Sequence, residues 1–162
     1  MPFVIEWAEN AVGVAESAGF VTPAGFLRLT VQGDVIIDAD WSLQAIDANH
    51  AISQRLASYW QAPDSPIMVK LLKQGSDYRL RVWAALCAIP VGQTLSYAAL
   101  AQQLASSPRA VGNACRDNPY PVFIPCHRIV AVSGLGGYCG QTSGSYLTIK
   151  QCLLAYEAQF KS

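Results

Sequence analysis

The sequence predicts an α+β protein in two parts: a small mixed α/β N-terminal domain with linker over residues 1–74, and a helical domain with a helix-turn-helix outline over residues 75–162. Three observations carry this. β-Rich runs flank a Gly-Asp turn in the first half, whereas the second half is a series of short helix-period segments. At 162 residues, 52% hydrophobic and 14% charged, the chain is too apolar for disorder and long enough for one good-sized domain or two small ones. Charge divides at the same place. Residues 1–74 carry four basic and eight acidic side chains, net −4, and residues 75–162 carry seven and three, net +4. The basic half is the one suited to nucleic acid. So small a charge implies modest phosphate-driven affinity and a shallow salt slope.

In the first half, residues 3–7 read as a short strand. Phe26–Val31 and Val35–Ala39 read as strands joined by a hairpin turn at Gln32-Gly-Asp34. Ile46–Gln61 reads as a helix, with Ile52, Leu56, Tyr59 and Trp60 on one face. His50 falls off that stripe, as a solvated or locally bonded histidine would. Ala62-Pro-Asp-Ser-Pro66 then breaks the chain and begins the linker. This half shows no chemistry, and its default role is to brace the second.

In the second half, Ser76–Cys87 reads as a helix with Leu80, Trp83, Leu86 and Cys87 inward, ended by Ile89-Pro-Val-Gly92. Ser96–Leu104 is a short helix with Leu100 and Leu104 paired. After a tight turn, Ser107 as N-cap and Pro108 as first residue start another over Pro108–Asp117. Two short helices across such a turn outline a helix-turn-helix. Val111, Ala114 and Cys115 share the inner face of the second helix, and Arg109, Gly112, Asn113 and Arg116 the outer. Small Ala110 and Gly112 would allow close approach to a groove. Ile129–Val132 reads as a strand, Ser133–Gly137 as a turn, and Tyr146–Phe160 as a helix with Ile149, Cys152, Leu153, Tyr156 and Phe160 as its apolar stripe. Glu157 borders that stripe and needs a partner: either Lys161 one turn on or a group in the interior.

No apolar run approaches the ~20 residues of a membrane span, and the N-terminus does not resemble a signal peptide. Five cysteines, an odd number with no Cys-x-x-Cys pair, argue against a disulfide framework or zinc ribbon and for a reducing compartment. His50 and His127 are the only imidazoles, and no metal or cofactor is expected.

The chemistry concentrates in Asn118-Pro-Tyr-Pro-Val-Phe-Ile-Pro-Cys-His-Arg-Ile-Val130. Pro119, Pro121 and Pro125 fix φ, remove donors and push their predecessors toward extended backbone. The result is a stiff, irregular segment ending in Cys126 and His127. Most free cysteines are inert packing, and neighbours in a regular strand point to opposite faces. Only the proline-bent backbone makes a cooperating Cys-His pair plausible.

Asn118 eight residues before the cysteine, the Pro-Cys-His-Arg core, Gly134-Leu-Gly-Gly-Tyr138, and Leu153-Leu154 with Glu157 together resemble the O6-alkylguanine-DNA alkyltransferases, also called methylated-DNA–protein-cysteine methyltransferases. The resemblance is strong over residues 76–160 and fainter through Thr22–Gly25 and Leu56-x-x-Tyr59. It implies a winged-helix, helix-turn-helix C-terminal domain carrying the active site, and DNA repair by direct damage reversal. An alkyl group on O6 of guanine, or O4 of thymine, in a flipped-out base passes irreversibly to Cys126 in a single-turnover suicide reaction. His127 would take the thiol proton and Glu157 orient the imidazole. Asn118 would donate to the thiolate or hold the turn, and Tyr97 would protonate the departing guanine. Arg109 would fill the space the base vacates. Ala110, Gly112, Asn113, Arg116 and Arg128 would contact DNA through the minor groove. Tyr97, Val130, Gly137, Tyr138, Cys139 and Gly140 would line the pocket. Some relatives carry zinc in the first half, but here residues 1–86 hold no cysteine. The implied protein is a monomer, cytoplasmic (nuclear if eukaryotic), acting on double-stranded DNA with alkylated bases and on no membrane. Rival readings are a non-catalytic alkyltransferase-like lesion binder, a winged-helix transcription regulator and a cysteine hydrolase. The first lacks the acceptor cysteine, and nothing in the sequence supplies the oxyanion site the last would need.

Overall fold

A computed structural model describes residues 3–62 and 66–160, which fall into two compact units, Met1–Gln74 and Gly75–Ser162. The first is a sheet of strands β1 (Phe3–Ala8), β2 (Ala15–Thr22), β3 (Gly25–Gln32), β4 (Val35–Ser42) and β5 (Ile67–Leu72), with one short helix, α1 (Ala51–Leu56). Spatial order is β1-β5-β4-β3-β2, antiparallel through β2-β3-β4 and parallel where β5 meets β4 and β1. Alternation along β3 sends Leu27, Leu29 and Val31 into the core. Phe3 and Tyr59 stack at 4.3 Å between centroids, and Tyr59 meets Trp60 edge-on at 4.6 Å. Gly19 donates its N–H to the Asp47 carbonyl at 3.0 Å, and a Cβ there would lie 2.8 Å from the same oxygen, so only glycine admits this approach.

The Gly33-Asp34 hairpin and the Ile52–Trp60 stripe stand as expected. The helix expected from Ile46 instead starts at Ala51, because His50 caps it: His50 Nδ1 accepts from Ile52 N at 3.1 Å. After Leu56 the backbone tightens into a 3-10 turn, Ala57–Gln61. Strands β2 and β5 were not anticipated. β2 is mostly small or polar, Ala15-Glu-Ser-Ala-Gly-Phe-Val-Thr22, and β5 follows directly on the stretch read as a linker, of which Pro63, Asp64 and Ser65 lie outside the described residues.

The second unit opens with α2 (Asp77–Cys87), capped by the Ser76 side chain. Val82, Trp83 and Leu86 are its buried residues, while Leu80 and Cys87, expected inward, are half-buried. Burial still lifts the Cys87 thiol to about 11. Strand β6 (Leu95–Ser96) leads into α3 (Tyr97–Gln103), capped by Ser96, and the turn at Ala105 leads into α4 (Pro108–Arg116), capped by Ser107 with Pro108 in its first turn. A 3-10 turn, Cys126–Arg128, passes into β7 (Ile129–Val130), shorter than the strand expected and paired in parallel with β6. Helix α5 (Ser145–Glu157) continues as a 3-10 turn over Ala158–Phe160. Its buried residues are Ile149, Lys150, Leu153 and Glu157, and Cys152, expected in the stripe, is exposed. Lys161, the alternative partner for Glu157, lies outside the described residues. No helix of the described residues is long and apolar enough to cross a membrane.

Candidate active site

The segment from Asn118 to Cys126 is held without regular structure. Asn118 Oδ1 accepts from Tyr120 N and its Nδ2 donates to Ile124 O, each at 2.9 Å, so one side chain closes the turn from both sides. Between them Val122 takes φ +77° while almost wholly buried. A β-branched residue there is a genuine outlier, costing about 1–3 kcal/mol, and persists only where its surroundings dictate it. Pro121, Pro125 and the Asn118 bonds are those surroundings. The Cys126 N–H then donates to Ile124 O at 2.8 Å, and the 3-10 turn places Cys126, His127 and Arg128 in the interior. Cys126 is 4% exposed and His127 0%.

Helix α5 meets this turn with Glu157. Its Oε2 accepts from His127 Nε2 at 2.9 Å and from Arg128 Nη2 at 2.8 Å, and its Oε1 accepts from Arg128 Nε at 2.9 Å. Arg128 Nη1 donates to Ile89 O at 2.8 Å. Arg128, expected on the DNA face, is therefore corrected: at 2% exposed it is an interior clamp on Glu157. Its planar fork matches a carboxylate bidentately, and burial of the acid demands such a partner. Burial would raise the Glu157 carboxyl, but His127 and Arg128 overcome it and hold it at about 2. Burial lowers the basicity of His127, with Glu157 opposing. An ionised Glu157 accepting from Nε2 fixes the proton there and leaves Nδ1 as the acceptor. Nδ1 is buried with no protein hydrogen-bond partner.

Lys150, about two turns before Glu157 on α5, is wholly buried and gives its three protons to the carbonyls of Ile129, Leu135 and Gly137 at 2.6, 2.7 and 2.9 Å. Burial lowers it to about 8, and the thiols of Cys126, Cys115 and Cys139 draw it up. Burial raises the Cys126 thiol, while Asn118 and the Lys150 ammonium act the other way. With Arg128 offset by Glu157, the buried set carries one surplus positive charge, of the sign that favours a thiolate. Sequence reading missed Lys150, although its spacing to Leu153 and Glu157 puts it on the same helix face.

Cys126 lies in the wall of a cavity of about 160 Å³, bounded by Tyr97, Cys115, Gly137, Tyr138 and Cys139, with Asn113, Arg116, Gln141 and Thr142 among its other lining residues. Tyr97 keeps its proton, since burial raises its hydroxyl, which stands 3.5 Å from Gly137 O, at the limit of hydrogen bonding. Gly112 and Gly140 also line the cavity, whereas Val130, expected there, does not: it pairs with Ser96 in the two-stranded ladder. On α4, Arg109, Asn113 and Arg116 are exposed, and Ala110 and Gly112 are half-buried. Cys115, on the inner face, reaches the cavity too, a role its packing pattern did not reveal. Gln141 and Thr142 carried no local signal. Among the described residues no group of three or more His, Cys, Asp or Glu side chains is placed to hold a metal ion.

This arrangement can deprotonate a buried thiol toward a base whose conjugate acid is stabilised by a carboxylate, and present it to a flat group held beside a tyrosine. Residues 77–159 match the family model described as 6-O-methylguanine DNA methyltransferase, DNA binding domain. The methylated-DNA–protein-cysteine methyltransferase of Methanosarcina mazei is 36% identical over 75% of this chain and 75% of its own. That of Archaeoglobus fulgidus is 34% identical over 98% of this chain and 99% of its own. The crystal structure of Mycobacterium tuberculosis OGT in complex with DNA superposes with a TM-score of 0.72 at 30% identity, covering 88% of this chain and 93% of that one.

Proposed function

The chain belongs to the 6-O-methylguanine DNA methyltransferase family, and from that premise we propose that Cys126 is its alkyl acceptor, activated by His127 and Glu157. The activity is DNA repair by direct reversal: an alkyl group moves from O6 of guanine to a cysteine of the protein itself. The observation that carries the residue assignment is the buried His127-Glu157-Arg128 series directly following the buried Cys126 in the chain, in which His127 Nδ1 has no protein partner.

The substrate oxygen lies inside the duplex, so the alkylated nucleotide is extruded into the cavity. The Cys126 proton passes to His127 Nδ1, directly or through one water, and the imidazolium is held by Glu157. The thiolate attacks the alkyl carbon in line. The sulfur–carbon bond forms, the carbon–oxygen bond breaks, and its electron pair stays on guanine, which takes a proton from Tyr97. Tyr97 regains a proton from water and His127 gives up the thiol proton to water, so no net charge is left behind. O4 of thymine presents the same chemistry. The thioether has no easy reverse, so each molecule acts once and needs no cofactor. Helix α4 presents Arg109, Ala110, Gly112, Asn113 and Arg116 to the minor groove, with Arg109 in the space of the extruded base. The protein acts as a monomer in the cytoplasm, or in the nucleus of a eukaryote. A lesion binder without transfer is disfavoured by the presence of Cys126.

The test is incubation with a duplex containing one O6-methylguanine, followed by intact mass and tryptic mapping. One methyl group per protein, on the peptide 117–128, is expected, and none on Cys126→Ala. Repeated turnover, or a methyl group on another peptide, would overturn the assignment.

A further inference from the structure

The cavity is bounded by two thiols besides Cys126. Cys115 is buried on the inner face of α4, where a capped helix fixes its backbone. Cys139 is half-buried and sits on a two-residue turn, Tyr138–Gln141, closed by Tyr138 N donating to Gln141 O at 2.8 Å and Gln141 N to Tyr138 O at 2.9 Å. Cys139 and Gly140 have φ of +50° and +79°, the signs of a type I′ turn. The first such position normally falls to Asn, Asp or Gly, and a side chain like that of cysteine strains it. A strained residue whose sulfur shares a cavity with a reactive thiol invites a functional reading.

We propose that Cys139 is a resolving thiol, which captures peroxide-oxidised Cys126 as a disulfide across the cavity and so preserves the acceptor in a recoverable form. In the first step the Cys126 thiolate attacks one oxygen of hydrogen peroxide. The S–O bond forms, the O–O bond breaks, and the departing hydroxide leaves as water with the proton the thiol gave up. In the second, the Cys139 sulfur attacks the Cys126 sulfenic acid. The S–S bond forms, the S–O bond breaks, and hydroxide leaves as water with the Cys139 proton. The two thiols supply two electrons and peroxide accepts them. A disulfide needs Cβ atoms about 3.5–4.5 Å apart, so the link requires the Tyr138–Gln141 turn to bring Cys139 to that distance from Cys126. A sulfinic acid on Cys126 would be as final as the alkyl thioether, whereas a disulfide is reopened by thiols. For a protein used once, that difference decides whether an oxidised molecule is lost. The benefit rests on Cys126 being the acceptor; the disulfide itself does not.

All five cysteines fall on different tryptic peptides: Cys115 on 110–116, Cys126 on 117–128 and Cys139 on 129–150 among them. The full chain is treated with about one equivalent of hydrogen peroxide, then mapped without reduction. The expected product has lost two hydrogens and links 117–128 to 129–150. Methyl acceptance from the O6-methylguanine duplex should fall about tenfold and return with dithiothreitol. In Cys139→Ser, treated instead with peroxide in excess of the two equivalents a sulfinic acid consumes and measured against its own untreated sample, the fall should persist after dithiothreitol, with two oxygens added to 117–128, while the wild type under the same excess should still give the link. A link through 110–116, or two oxygens on the wild-type peptide 117–128, would overturn the proposal. Untreated wild-type protein that takes no methyl group would instead refute the acceptor reading, while the mapped link would still decide the disulfide.

Discussion

In the N-terminal unit the largest fully buried side chains are Phe20, Leu27, Leu29, Ile36, Leu56, Tyr59 and Leu71, and the buried polar residues among those described, Thr22 and Ser53, are neutral. In the C-terminal unit, His127, Arg128, Lys150 and Glu157 lie as deep as Trp83 or Leu86. Burying charge costs several kcal/mol per ion even when it is paired, and apolar replacements are often as stable. A fold assembled for stability alone has no use for four such groups around one cysteine. The first unit therefore shows what packing requires of this chain, and the excess in the second marks where chemistry has been imposed on it.

Glu157→Gln should test that contrast most severely. It leaves Arg128 buried without a counter-charge, a loss of about 3–5 kcal/mol, and removes the carboxylate that fixes His127. Methyl transfer should slow by about a hundredfold or more, and the melting temperature should fall. If the variant melts like the parent, the buried set is not what holds the segment, and the contrast between the units collapses.

Acid should separate the units next. Glu157, held at about 2, contributes stability that is present above the unfolded carboxylate value and is lost as pH falls from about 4.3 toward 2. A depression of that size is worth about 3 kcal/mol. His127 is lowered by burial, so protonation favours the unfolded chain as pH falls below its ordinary value of about 6.5. Both slopes have one sign, and both belong to the second unit. Hydrogen exchange between pH 7 and 3 should show residues 120–130 and 145–157 opening before β3 and β4. Simultaneous opening would mean that the four groups do not set the acid limit.

How much of this could be read beforehand depends on the kind of pattern involved. The stripe from Ile52 to Trp60, the Gly33-Asp34 turn and the Ser107-Pro108 start of α4 follow from period and local chemistry, and all are present. Strands β2 and β5 escaped because one is polar and small and the other begins beside a proline-rich break, so only pairing with neighbours defines them. Cys126, His127 and Glu157 were picked out by residue type and family spacing. Arg128 and Lys150 were misjudged or missed because cations are ordinarily exposed, and only the tertiary arrangement supplies the carboxylate and carbonyls that keep them inside.

Arg109→Ala probes the outer face of α4, where the second unit keeps a cation in solvent. If Arg109 fills the place of an extruded base, transfer from an O6-methylguanine duplex should slow by about ten- to a hundredfold, equivalent to about 1.4–2.7 kcal/mol. Reaction with the free base O6-methylguanine should be unchanged, because no duplex is opened. Equal losses on both substrates would place Arg109 in the chemistry or the fold rather than in extrusion.

The smallest expected effect comes from the first unit. His50 caps α1 through Nδ1 and meets Glu16 Oε2 through Nε2 at 3.0 Å, in a largely exposed pair. His50→Ala should cost about 1 kcal/mol for the cap and little for the exposed hydrogen bond to Glu16. The melting temperature should drop by a few degrees, with the rate of methyl transfer kept within about twofold, less than the 1.4 kcal/mol of a tenfold change. The variant alters no group in the second unit's buried set, so a rate that falls along with stability could not be assigned to the acceptor chemistry. It would show that the N-terminal unit takes part in the reaction, and that the absence of buried charge there is no sign of an absence of function.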